Sequence, residues 1–232
     1  VMACILHIET STNVCSAALT QDGQLLLEKI ERKGPSHATV LPLFVEELVS
    51  FADSHAIPLD AVAVSSGPGS YTGLRIGVST AKGLCYGRDL KLISVSTLEL
   101  LAVPVLLYGE ELPGNALLCP MLDARRMEVY AAIYNRGLGV ERSIQPDIVD
   151  ESSYLTYLDS APVYFFGDVA KKCEGTINHP NAHFIEGIEP LARNMMPLAE
   201  KRYAKREFED VAYYEPFYLK DFVAGTPKKS LF

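Results

Sequence analysis

The sequence predicts an α/β fold built from two diverged copies of one mixed-sheet unit. Three observations carry that expectation. The chain opens with three β-rich runs, then alternates strand-like runs with longer segments of helical periodicity. A strand, polar turn, strand pattern over residues 5–19 recurs with similar length and hydrophobicity over 116–134. Between them, residues 65–84 (SSGPGSYTGLRIGVSTAKGL) read as a strand end, a tight turn and a helix.

Residues 4–9 form an apolar strand, 10–13 a turn, and 14–20 a second strand. Asp22-Gly23 is a strong hairpin signal leading into a third strand over 24–30. Lys33-Gly34-Pro35 ends this antiparallel meander, and Ser36 is placed to cap a helix running to about Ala52. Leu41, Phe44, Val45, Leu48 and Ala52 make one apolar stripe, which Val40, Leu43 and Val49 widen. A helix so apolar round its girth is expected to meet two partners rather than one. Pro42 removes one of its hydrogen bonds. His37 reads as a packed or solvated histidine, since Leu41 stands where a second ligand would be.

Residues 60–64 are a short run rich in β-branched side chains, as a buried strand requires. Gly67-Pro68-Gly69 stops it, because Pro fixes φ and Gly allows φ > 0. Ser70 or Thr72 caps the next helix. At about 100° per residue, Leu74, Gly77, Val78, Ala81, Leu84 and Cys85 share one side of it. Arg75, Ser79, Lys82 and Tyr86 share the other. Gly77 and Gly83 each cost up to about 1 kcal/mol relative to Ala in a helix interior. The backbone is therefore expected to lie close to its own sheet or to a second protein. The glycine spacing matches neither a P-loop nor a dinucleotide fingerprint, so the turn reads as a plain turn.

Residues 92–95 are a strand, and 97–107 a helix ended by Pro104. The second copy follows, with strands over 116–122 and 127–134 flanking a polar turn at 123–126. Residues 137–160 read as a polar connection, 162–166 as a strand, 191–208 as the last helix, and 215–232 as a draped tail.

With 232 residues, 48% of them apolar, the chain can bury a sizeable core. Its net charge of −8 and lack of a basic run argue against holding nucleic acid by itself. The five cysteines are scattered without a C-x-x-C pair, so they read as small buried residues of a reducing compartment. No basic leader and no bilayer-spanning run is seen, which predicts a cytoplasmic chain with no membrane partner.

Four segments carry a family resemblance: Ile5-Leu6-His7-Ile8-Glu9-Thr10-Ser11; Ser66 to Gly77; Leu122-Asp123-Ala124-Arg125 with Glu128-Val129-Tyr130; and Pro216-Phe217-Tyr218-Leu219-Lys220. Together they resemble the TsaB (YeaZ) family, with the glycine stretch the most specific. The resemblance implies the two-lobed actin/Hsp70/sugar-kinase-like (ASKHA) fold, with lobes over 1–108 and 109–232. It implies a role in forming N6-threonylcarbamoyladenosine on tRNA, as a subunit that supports a TsaD-like catalytic subunit. A TsaE-like ATPase joins the larger complex, tRNA is met only through it, and the chain alone forms a homodimer. The partner interface falls on the two helices over 36–52 and 74–86, with Val40, Leu43, Glu47, Tyr71, Arg75, Ser79 and Lys82 as candidate contacts.

No catalytic, cofactor or metal residue is expected. Catalytic relatives carry an H-x-x-x-H metal pair where this chain has Thr97 and Leu101, and neither supplies an imidazole. His179 and His183 have that spacing, but Pro180 and a polar context oppose a regular helix. A metallopeptidase would need ligands the matching positions lack. The main alternative is a stand-alone ATPase or small-molecule kinase of the same fold, with Glu9 and Asp123 around magnesium. Glu9 stands where nucleotide-binding members usually have Asp, and Asp123 and Asp168 also suit turn formation.

Overall fold

A computed structural model describes residues 3–33, 37–109, 111–124 and 128–219. The opening meander is β1 (Cys4–Glu9), β2 (Cys15–Gln21) and β3 (Gln24–Glu31). Asp22 and Gly23 both take positive φ, 52° and 75°, as the tight two-residue hairpin turn demands. Helix α1 (His37–Ser54) follows, then β4 (Ala61–Gly67), α2 (Tyr71–Arg88), β5 (Lys91–Ser96) and α3 (Thr97–Tyr108). The second half supplies β6 (Leu117–Asp123), β7 (Glu128–Asn135), β8 (Val140–Ile148), α4 (Leu155–Leu158), β9 (Val163–Phe166), α5 (Ala170–Cys173) and β10 (Ala182–Ile185). A 3-10 turn, Ala192–Met195, leads into α6 (Met196–Lys205).

The two five-stranded sheets have one topology. The first runs β3-β2-β1-β4-β5, the second β8-β7-β6-β9-β10. In each, the first three strands pair antiparallel and the next two add in parallel. The recurrence read at 116–134 is thus a duplicated unit, and the fold is the two-lobed actin/Hsp70/sugar-kinase-like one.

Side-chain alternation divides the core into layers. On one face of the first sheet, Leu6, Ile8, Val62 and Val64 meet Leu41, Val45 and Leu48 of α1 and Val78 and Ala81 of α2. On the other face, Ile5, Ala61, Ile93 and Val95 meet Leu100 and Val103 of α3 together with Met195, Leu198 and Ala199. Helix α3 turns Leu98, Leu101 and Val105 to the second sheet, against Leu118, Leu122 and Phe166. Lying between two sheets, it is apolar round most of its girth, with Glu99 paired to Arg202 of α6 at 2.7 Å. The outer face of the second sheet is closed by α4 and α5, with Leu158, Val169 and Cys173 over Met121 and Phe165.

Several sequence expectations need correction. Residues 137–160 hold β8, an edge strand whose outward side is solvated, so its alternation is too polar to read as a strand. The four-residue β10 is likewise missing from the sequence reading. Pro104 lies inside α3 rather than ending it. The last helix is shorter than 191–208, because a 3-10 turn occupies its start. Ser36, Arg125, Arg126, Met127 and the tail from Lys220 onward lie outside the described residues. All five cysteines are buried and free.

Candidate functional site: the face formed by α1 and α2

The turn after β1 and the start of α2 are built into one another. Ser70 caps α2, its side chain accepting the Gly73 N–H at 3.3 Å, while its own N–H donates to the Ser11 carbonyl at 2.6 Å. Thr10 Oγ1 donates to the Gly73 carbonyl at 2.8 Å. A Cβ on Gly69 would overlap Ser11, and one on Gly73 or Gly77 would overlap Thr10. These three glycines therefore let α2 sit directly on the turn. Of the two helical glycines read from the sequence, Gly77 is explained by the protein's own fold. Gly83 is not: among the described residues, nothing lies within 4 Å of a Cβ built there, nor of one on Gly87 one turn on.

Helix α1 lies beside α2, and Arg88 of α2 holds Asp53 of α1 through two bonds of 2.9 and 2.7 Å. That guanidinium keeps the Asp53 carboxyl below its usual range. The inward sides of both helices are those read from periodicity, with Leu41, Val45, Leu48 and Ala52 on α1 and Leu74, Val78, Ala81 and Cys85 on α2. The outward sides hold Leu43, 57% exposed, and Tyr86, 87% exposed.

The seven candidate contacts divide by what they touch. Leu43, Arg75 and Ser79 are exposed and Val40 is half-buried. Glu47 is exposed and paired with Lys29 of β3. Arg75 lies over the Tyr71 ring at 5.5 Å and donates to its hydroxyl at 3.2 Å. Lys82 is committed to the protein's own chain: its ammonium donates to the Ala212 carbonyl at 3.1 Å and the Tyr214 carbonyl at 2.9 Å. Sequence inspection could not find that contact, because its acceptors are backbone atoms and carry no residue-type signal. The described part of the tail is also tethered, with Phe217 N–H donating to the Ser66 carbonyl at 2.7 Å and Tyr218 against Tyr71, ring centroids 4.9 Å apart.

The carboxylates considered for magnesium sit differently. Glu9 is fully buried; its Oε1 accepts the Ser11 N–H at 2.6 Å and its Oε2 has no hydrogen-bond partner among the described residues. Burial pushes its carboxyl up to about 7, despite the hydrogen bond from the Ser11 N–H. Two residues earlier on β1, His7 is also fully buried, and burial lowers it to about 3. Asp123 lies on the second sheet, its N–H donating to Asp168 Oδ1 at 3.1 Å. Glu9 is thus sealed beneath the turn that carries α2 rather than open to a cleft.

Thr97 and Leu101 are fully buried, and Thr97 Oγ1 has no hydrogen-bond partner among the described residues. His179 lies in a turn with its Nδ1 accepting the Asn181 N–H at 3.1 Å, and His183 lies on β10, stacked on Tyr164 with centroids 4.7 Å apart. The H-x-x-x-H spacing therefore spans a turn and a strand. Among the described residues, no three His, Cys, Asp or Glu side chains gather as metal ligands would. No helix among them is long and apolar enough to cross a membrane.

Comparison with known proteins agrees with this architecture. The model of a family described as TsaD, tRNA N6-adenosine threonylcarbamoyltransferase, matches residues 31–228. The tRNA threonylcarbamoyladenosine biosynthesis protein TsaB of Escherichia coli K12 is 30% identical over 231 residues, covering 95% of this chain and 96% of its own. TsaB of Bacillus subtilis 168 is 34% identical over 167 residues, 70% of each chain. The solved structure of YeaZ from Pseudomonas aeruginosa is 27% identical and superposes with a TM-score of 0.77 over 94% of this chain and all of that one.

Proposed function

We propose, on the premise that this chain belongs to the TsaB (YeaZ) family, that it serves tRNA threonylcarbamoyladenosine biosynthesis as a non-catalytic subunit. Its task is to pair with, and support, a TsaD-like catalytic subunit. The lobe over 1–108 carries the docking helices, and the lobe over 109–232 backs them. A TsaE-like ATPase joins the larger assembly, tRNA is met only through it, and the chain pairs with itself when alone.

One observation carries the proposal. Gly83 and Gly87 lie one turn apart on the outward side of α2, with open space where their side chains would be. Glycine inside a helix costs stability, about 1 kcal/mol at Gly83, and no contact among the described residues accounts for either glycine. A second helix approaching closely would. Leu43, exposed on the neighbouring helix, adds apolar area on α1. The family model matched over residues 31–228 bears the transferase's name, so a TsaD-like partner would present a related pair of helices. Glu9, sealed beneath the α2 turn, is poorly placed for the stand-alone ATPase.

Co-expression with a TsaD-like subunit tests the proposal. A complex that survives gel filtration at micromolar concentration is the expected result. Two separate peaks would refute the pairing, and tRNA modification by this chain alone would refute its non-catalytic role.

A further inference from the structure

The described tail runs as a strap over residues 209–219. At its start, Glu209 N–H donates to the Leu92 carbonyl at 2.9 Å, and its carboxylate accepts from Ser94 Oγ at 2.5 Å, on the edge strand β5. Next, the Ala212 and Tyr214 carbonyls receive the Lys82 ammonium, and the Val211 and Tyr214 side chains pack against the core beneath α1 and α2. Finally, Phe217 reaches the end of β4 at Ser66, and Tyr218 reaches Tyr71 in the first turn of α2. The strap therefore runs antiparallel to α2 along one flank, fixed at both ends and at Lys82 between them.

Lys82 is half-buried, and its ammonium bonds to two uncharged carbonyls of the strap. It sits on the outward half of α2, where sequence inspection reads it as a direct partner contact. The geometry gives it another task. We infer that Lys82 is a positioning residue, holding the strap along α2 so that the helix presents its Gly83 and Gly87 ridge to the partner at a fixed angle. The inference rests on the pairing proposed above, and it adds how that docking face is kept in shape.

The test uses the full chain, with and without a TsaD-like subunit. In the free chain, Lys82→Ala should speed amide exchange in α2 about tenfold while exchange in α3 stays unchanged, as expected of a local rather than a global loosening. Pairing, measured by calorimetry, should weaken by about tenfold, and Lys82→Arg should restore both readouts because it still donates to carbonyls. Phe217→Pro removes the donor to Ser66, so it should loosen the same strap. Combined with Lys82→Ala it should then weaken pairing by less than the product of the two single effects. Unchanged exchange in α2 overturns the inference. So do single losses that multiply in the double variant, since that marks Lys82 as an independent contact with the partner. Failure of the unaltered chain to pair overturns the proposed function instead, a result separate from these.

Discussion

Thr10 stands directly beneath Gly77: the threonine hydroxyl occupies the space that a Cβ on the glycine would need, and the same hydroxyl donates to the Gly73 carbonyl at 2.8 Å. A turn from the first strand and a helix more than sixty residues later thus share one tight contact. Gly77→Ala should push α2 off this seat and cost about 1–3 kcal/mol, the usual range for overpacking. Denaturant unfolding would measure it. Because the clash is with one hydroxyl, Thr10→Ala combined with Gly77→Ala should cost less than the two singles added together.

Gly83 provides the contrast. With open space around it, Gly83→Ala should leave the free chain as stable or raise its stability by up to about 1 kcal/mol. Gly83→Arg should also fold. Either change puts a side chain where the proposed partner helix approaches, and Gly83→Arg should weaken pairing by about a hundredfold, a loss typical of a blocked interface centre. Calorimetric titration with a TsaD-like subunit would show it.

His7 and Glu9 predict opposed pH dependences. The folded chain holds His7 near 3 against an ordinary value of 6.5, so the unfolded chain binds its proton first and stability rises with pH between those values. Glu9 is held near 7 against an ordinary 4.5, so the folded chain keeps a proton that the unfolded chain has released, and stability falls as pH rises through that window. Between 4.5 and 6.5 the two slopes oppose each other. Below that range the His7 slope stands alone, and toward 7 the Glu9 slope does. Glu9→Gln keeps an acceptor for the Ser11 N–H but cannot ionise, so it should gain stability over the unaltered chain as pH goes from 5 to 8. A series of urea melts across pH would reveal the change of slope.

Thr97 holds a buried hydroxyl that has no partner among the described residues. Thr97→Val keeps the shape and removes the unsatisfied group, so it should be neutral or stabilising by about 1 kcal/mol. A shift in melting temperature upward, or none, would agree. A marked drop would show that the hydroxyl is satisfied in solution.

Much of the fold was legible because the signals were local. The Asp22-Gly23 turn, the Ser70 cap and the inward stripes of α1 and α2 each follow from residue type at fixed spacing. The duplication showed in its opening hairpin but not in β8, where a solvated edge hides the pattern. The candidate site was less legible. Gly77 and Gly83 look alike in sequence, yet only the three-dimensional neighbour tells them apart: Thr10 for one, open space for the other. Lys82 likewise looked like a surface contact because its partners are carbonyls more than a hundred residues away.

The return of the last helix to the first sheet bears on the order of events at the ribosome. Met195, Leu198 and Ala199 close over Ile5, Ala61 and Ile93, so that layer stays open until almost the whole described chain has been made. The amino-terminal half cannot bury all its oily surface as it emerges. It must either wait, shielded by the ribosome or a chaperone, or settle provisionally and be finished by the closing stretch.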